Sequence, residues 1–241
     1  MKTLHLLSAG AALGLVRTLE PRVREVLGAA LDARFNAVGT MLQLFEAGEP
    51  CDVLVLTDSM IAAQIAAGTL DAASRSPLGR VRTGIAVRVG DVLPDVATPE
   101  ALRAALLAAD AVYVPDTERS TAGIHFMKVL RELGIDHELG ERLRPHPNGA
   151  TAMRELAAAA SPRPIGCTQV TEILYTSGVQ LVAPLPQRFE LATTYTAAVA
   201  LRSTDAALAA RFVQLLGGAQ TLALRTAGGF DPIELGDAHD H

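Results

Sequence analysis

Short β-branched or leucine-rich runs alternate along this chain with longer alanine-rich stretches of helical periodicity, and that alternation admits few folds. Strands that run the same way need a crossover between them, so a strand, a helix and a strand in succession build a parallel sheet. Leu4-His5-Leu6-Leu7 reads as a first strand and Ala11 to Leu27 as a helix ended near Gly28. Arg34 to Val38 reads as a second strand, Met41 to Ala47 as a short helix and Asp52 to Leu56 as a third strand. Thr57-Asp58-Ser59 then offers capping oxygens to a helix from Met60 to Ala66.

A second series opens with the extended run Thr83 to Val89, closed by Gly90. Thr98-Pro99-Glu100 starts a helix with threonine as cap and proline at the first helical position. Ala111 to Val114 is a strand, Pro115 to Arg119 a loop, and Ser120-Thr121-Ala122-Gly123 leads into a helix from Ile124 to Leu133. Pro164 to Cys167 reads as a short strand, Val170 to Tyr175 as a helix and Val179 to Val182 as a strand. Thr193 to Leu201 is another long extended run, and two helices, Asp205 to Leu216 and Ala219 to Ala227, close the chain. No repeat, Gly/Ser linker or charge block separates two independent domains, so a two-lobed chain would pass between its lobes more than once.

Composition narrows the function. With 49% hydrophobic and 20% charged residues in a chain of 241, a large core in one domain or two is expected. The 21 Lys+Arg are scattered singly against 26 Asp+Glu, a net charge of −5, which argues against nucleic acid. Six Phe, three Tyr and no Trp supply few stacking platforms. Cys51 and Cys167 have no CxxC or histidine partner at ligand spacing, so free thiols, no metal and no cofactor are expected. Charges interrupt every apolar stretch short of the roughly 20 residues a membrane helix needs, so no membrane insertion is expected. The apolar Leu4 to Val16 segment imitates a secretory signal, but it has one basic residue before it, breaks at Ser8-Ala9-Gly10 and runs into Arg17. It is therefore expected to be the first strand and helix of the fold. A cytoplasmic location follows if Met1 is the native start, a periplasmic one if a leader was removed ahead of it.

Three places share one feature: a strand ends and a small hydroxyl or glycine residue sits just before a helix. They are Ser8-Ala9-Gly10, Gly39-Thr40 and Ser120-Thr121-Ala122-Gly123. A helix N-terminus presents unpaired N–H groups and a partial positive charge, so several such junctions could hold an anion. Each hydroxyl could equally serve as the cap of its own helix.

Leu7-Ser8-Ala9-Gly10-Ala11, Phe35 to Thr40 and Glu46 to Leu56 resemble the molybdate-binding (ModA-like) family of bacterial extracellular solute-binding proteins. The centre matches through Pro99 to Leu102 and Ser120 to Phe126, and the end through Ile165 to Ile173 and Leu181 to Pro186, in the family's order and spacing. The resemblance implies an α/β, two-lobed type 2 periplasmic-binding-protein fold with two hinge-crossing strands. Its lobes would be 1–81 with 200–241, and 90–190, with crossings at 82–89 and 191–199. It also implies a ligand held by Ser8, Ala9, Gly39 and Thr40 from the first lobe, and by Ser120, Thr121 and the backbone around Thr168 and Gln169 from the second. The family's first-strand motif usually has Ala-Ala-Ala-Ser-Leu and a tyrosine donor in the second lobe, where this chain has Leu7-Ser8-Ala9-Gly10 and Cys167-Thr168-Gln169.

Arg119 beside the Ser120-Thr121 junction could form a bidentate pair with a carboxylate ligand, or an ordinary surface pair with Glu118 or Asp116. His125 and Glu172, each in the first turn of a helix, could act as acid or base if they faced the ligand, or simply pack and favour the helix dipole. Cys167 could be a nucleophile, though no base stands near it in sequence, and His239-Asp240-His241 could bind metal weakly. Two functions are compatible with these residues. One is a monomeric binding protein that captures a small anion, a carboxylate or an oxyanion such as molybdate, and presents it to an ABC transporter permease. The other resembles the aconitate isomerases related to this family, with Glu172 or His125 catalysing a 1,3-proton shift on a tricarboxylate.

Overall fold

The strands of the computed structural model, which describes residues 2–233, are β1 (Lys2–Ala9), β2 (Ala29–Asn36), β3 (Val53–Thr57), β4 (Ser76–Arg88), β5 (Ala111–Pro115), β6 (Leu143–His146), β7 (Pro164–Gln169), β8 (Val179–Pro184) and β9 (Ala192–Val199). The chain divides into two compact units. One takes the residues up to Phe35, Leu42–Val81 and those from Thr193 onward; the other takes Asn36–Met41 and Arg82–Ala192. β4 and β9 have residues in both units and neighbour one another in the strand order.

In the first unit the order is β2-β1-β3-β9. β1 and β3 are parallel, with Leu6 opposite Val53, while β9 runs antiparallel to β3, with Val55 opposite Ala197. Every residue of β3 is buried, as expected of a strand covered on both faces. The first helix, Leu13–Arg22, carries Pro21, whose missing N–H removes an intrahelical donor, and the chain continues as a π-type turn over Val23–Leu27. Gly28 at φ 65° ends it, as the sequence suggests. β2 stops at Asn36 and a helix begins at Val38, so Ala37 and Val38 do not extend the strand as expected; the Asn36 side chain accepts the N–H of Ala37 and turns the chain out of the sheet.

In the second unit the order is β4-β7-β5-β6, with β8 on β4. β5 is parallel to both β6 and β7, whereas β4 is antiparallel to β7 and β8. Alternate strand residues feed two cores. Ile85, Val87, Val112, Val114 and Cys167 pack with Leu102, Phe126 and Leu130, and Ala86, Ala111 and Tyr113 pack with Met153, Leu156 and Ile173. β6 and the helix Gly149–Ala157 fall in a stretch that the sequence reading leaves without elements. No single described helix is long and apolar enough to cross a membrane.

Arg225 is a buried cation of the first unit. It is 8% exposed and donates to the carbonyls of Leu78, Gly217 and Gly218. Those of Gly217 and Gly218 lie at the C-terminal end of the helix Ala206–Gly217, where carbonyls lack intrahelical partners and the helix dipole favours a cation. Burial pushes its pKa down from the ordinary arginine value. Replacing Arg225 with methionine keeps the apolar stem but strands these carbonyls, and is expected to cost about 2–4 kcal/mol in urea unfolding. An unchanged midpoint would mean that water satisfies them.

Candidate functional site

Four segments of the second unit carry the polar groups of interest, Asn36–Met41, Asp116 to Thr121, Asn148 to Ala150 and Thr168 to Glu172, and the sequence singles out residues in all of them but Asn148 to Ala150. Gly39 and Thr40 lie in the first turn of the helix Val38–Glu46. The N–H of Gly39 donates to the Arg119 carbonyl at 3.2 Å, and a Cβ on Gly39 would lie 3.3 Å from that oxygen. A side chain at position 39 would therefore crowd the approach. Asn36 is tied in turn to Asn148, whose amide nitrogen donates to the Asn36 side-chain oxygen at 3.3 Å.

The Arg119 loop is built by Asp116. One of its carboxylate oxygens accepts the N–H groups of Glu118 and Arg119 at 2.8 and 2.9 Å, which folds the loop without using the arginine side chain. That guanidinium is exposed and makes no hydrogen bond or ion pair among the described residues, with Glu118 and Asp116 included. Ser120 occupies the N-cap position of the helix Thr121–Glu132, but its hydroxyl accepts none of the helix N–H groups. Gly123 lets this helix start against the preceding loop, since a Cβ there would lie 2.2 Å from the Asp116 carbonyl. The helix begins three residues earlier than its apolar pattern suggests, so Thr121 is inside it.

Glu172 is the centre of the other half of the cluster. Its carboxylate accepts the Thr168 hydroxyl at 2.5 Å and the backbone N–H groups of Gln169, Ala150 and Gly149. Burial raises its pKa from 4.5 to about 6, opposed by those hydrogen bonds, the Thr168 hydroxyl foremost. Gly149 has no room for a side chain, because a Cβ would sit 1.9 Å from the Glu172 carboxylate and 2.1 Å from the Thr168 hydroxyl. Asn148 caps the same helix by accepting the Thr151 N–H at 2.9 Å. Thr168 and Gln169 are both buried at the end of β7, a strand two residues longer than expected.

The remaining sequence candidates are placed as follows. Ser8 and Ala9, in the first unit, are buried, and the Ser8 hydroxyl donates to the Ala9 carbonyl at 3.0 Å. His125 donates through Nε2 to the Phe189 carbonyl at 2.7 Å. Cys51 and Cys167 are free and buried, and burial pushes the Cys167 thiol well above its ordinary value, opposite to what a nucleophile needs. His239-Asp240-His241 lies outside the described residues. Asn36, Asn148, Gly149 and Ala150 were absent from the sequence-based set. The signal was there in Asn148, an asparagine cap followed by an alanine-rich run with Met153 and Leu156 on one face.

An α/β chain whose parallel strands are flanked by two antiparallel strands shared between its units has the architecture of the two-lobed periplasmic binding proteins. The family profile of bacterial extracellular solute-binding proteins matches residues 4–231, and the chain belongs to that family. The periplasmic molybdate-binding protein of Azotobacter vinelandii superposes with a TM-score of 0.78 at 16% identity, over 96% of this chain and 100% of that one. The sulfate-binding protein SubI of Mycobacterium tuberculosis gives 0.71 at 18% identity, over 98% and 88%. An aconitate isomerase from a Pseudomonas species is 25% identical over 240 residues, 96% of this chain and 88% of that protein.

Two measurements test the Glu172 cluster. Gly149→Ala is expected to destabilise the protein by about 1–3 kcal/mol through overpacking, read by thermal unfolding. Because the folded pKa of Glu172, about 6, lies above the 4.5 of a free glutamate, the folded state holds the proton more tightly. Its contribution is present below pH 4.5 and is lost as pH rises through 6, on the order of 2 kcal/mol in all. Unfolding free energies of wild type and Glu172→Gln, compared from pH 4 to 7.5, should diverge over that window. Parallel curves would refute the assignment.

Proposed function

We propose that this protein is a solute-binding protein that captures a small anion, a carboxylate or an oxyanion, and delivers it to an ABC transporter. The observation that carries this reading is Arg119. It is an exposed cation with no ion-pair partner among the described residues, beside a serine whose hydroxyl accepts no N–H of the helix it precedes. Free donors and an unneutralised charge at a helix start suit an anion. The planar fork of Arg119 favours a carboxylate over a tetrahedral dianion. Membership of the solute-binding family, and structural likeness to proteins named for molybdate and sulfate binding, support capture of an anion. On this reading Ser8, Ala9, Gly39, Thr40, Ser120, Thr121, Thr168 and Gln169 surround the ligand, Gln169 through its side chain; the Thr168 hydroxyl is given to Glu172. The Gln169 N–H is already given to Glu172. Hinges at 82–89 and 191–199 would let the protein close on it, working as a monomer.

The isomerase alternative needs a base able to meet the substrate. His125 is engaged with the Phe189 carbonyl, and the Glu172 carboxylate already accepts four donors, so neither supports that reading as well as capture. Calorimetry with molybdate, sulfate, citrate and cis-aconitate tests the proposal. Carboxylates are expected to bind, with Arg119→Ala, Thr40→Ala and Ser8→Ala each weakening binding by about 1–3 kcal/mol. Binding that ignores all three substitutions would remove the site. Molybdate binding that persists in Arg119→Ala would make the ligand an oxyanion held by neutral donors. Conversion of cis-aconitate to its trans isomer would establish the enzyme instead.

A further inference from the structure

We propose that Glu172 is a specificity-determining residue, a built-in anion that limits the negative charge of the ligand accepted beside Gln169. This deepens the anion-binding reading and rests on it. The carboxylate takes the leading N–H groups of the helix Gly149–Ala157, those of Gly149 and Ala150, and the N–H of Gln169 on the strand end that precedes its own helix. Asn148 takes the N–H of Thr151. The positive end of this helix is thus neutralised from inside the protein, before any ligand arrives. The absence of a side chain at Gly149 leaves the room that the carboxylate fills, and Thr168 fixes it from the strand side.

An anion brought next to Gln169 therefore meets a fixed like charge in a poorly solvated setting. The resulting penalty scales with the ligand's charge, while contacts that read its shape are unaffected. The donors that hold the carboxylate are all neutral, so the ionised group keeps its formal charge. No charged group contributes to the pKa shift of Glu172. On the helix packed against it, Arg154 and Glu155 are exposed; β7 contributes only the buried Cys167, β8 carries no titratable residue, and Tyr175 on its own helix is exposed. At pH 7.5 the group is ionised, since its pKa is about 6.

The test uses two pairs of probes of similar shape that differ by one charge, sulfate with methanesulfonate and cis-aconitate with itaconate, titrated at pH 7.5 into wild type, Glu172→Gln and Glu172→Met. In whichever pair binds, both variants are expected to raise the preference for the more highly charged member by on the order of tenfold. A second readout needs no variant. Sulfate and methanesulfonate keep their charge between pH 5 and 7.5, so wild-type preference for sulfate should rise toward pH 5 as Glu172 takes up its proton. An equal loss of affinity for both members of a pair would mark a merely structural residue and overturn the proposal, as would an unchanged preference. If no member of either pair binds wild type or variants, the anion-binding reading itself fails, and the inference with it.

Discussion

Every parallel strand in this protein delivers the chain to a helix start whose first N–H groups lack intrahelical partners, and the structure turns on how each start is satisfied. Four α-helix starts, after parallel and antiparallel strands alike, are closed by side chains of their own segment: Thr57, Thr98, Asn148 and Asp205 each accept an N–H of the helix that follows. The helix Gly149–Ala157 has a second partner as well, the carboxylate of Glu172, brought from a later helix. The helix Thr121–Glu132 has no such closure, because the Ser120 hydroxyl at its cap position leaves the N–H groups alone, as do the cap residues of Leu13–Arg22 and Val170–Tyr175. In the second unit one start is thus closed twice over and another has no side-chain cap, and the proposed anion site lies beside the latter.

Close approach of backbone is the second theme. Gly123 meets the Asp116 carbonyl and Gly149 meets Glu172 and Thr168 at distances that exclude a larger residue, and Gly39 lies close enough to the Arg119 carbonyl to crowd one. None of these glycines has a positive φ. They are small because of what lies against them. The Gly39–Arg119 contact and the Asn36–Asn148 hydrogen bond tie the segment after β2 to the loop after β5 and to the start of the helix after β6 inside the second unit. Arg119 gains its freedom from the same arrangement, since Asp116 spends its carboxylate on backbone N–H groups and leaves the guanidinium unneutralised.

Much of the architecture was legible in the sequence because strand and helix periods differ, and because caps such as Thr57, Thr98 and Asp205 announce helix starts. The long extended runs that became β4 and β9 were also visible, though β4 begins earlier, at Ser76. β6 was not, for a physical reason: Leu143-Arg144-Pro145-His146 has no alternation and contains a proline, which an edge strand tolerates and a pattern search rejects. Losing β6 meant losing the helix behind it, and with that the partners of Glu172.

The sequence by itself determined the class of fold, the order of its elements, and the small hydroxyl and glycine residues at strand-to-helix junctions, because these follow from local periodicity and turn chemistry. It also supplied Arg119 and Glu172 as residues of interest. Only the tertiary structure decided their roles, since hydrogen bonds between segments far apart in the chain leave no trace in local pattern. The Thr168 hydroxyl and three backbone N–H groups turn Glu172 into an internal anion, the Phe189 carbonyl occupies His125, and nothing occupies Arg119 among the described residues. Burial and partnering are properties of the folded chain, and they separate a free charge from a spent one.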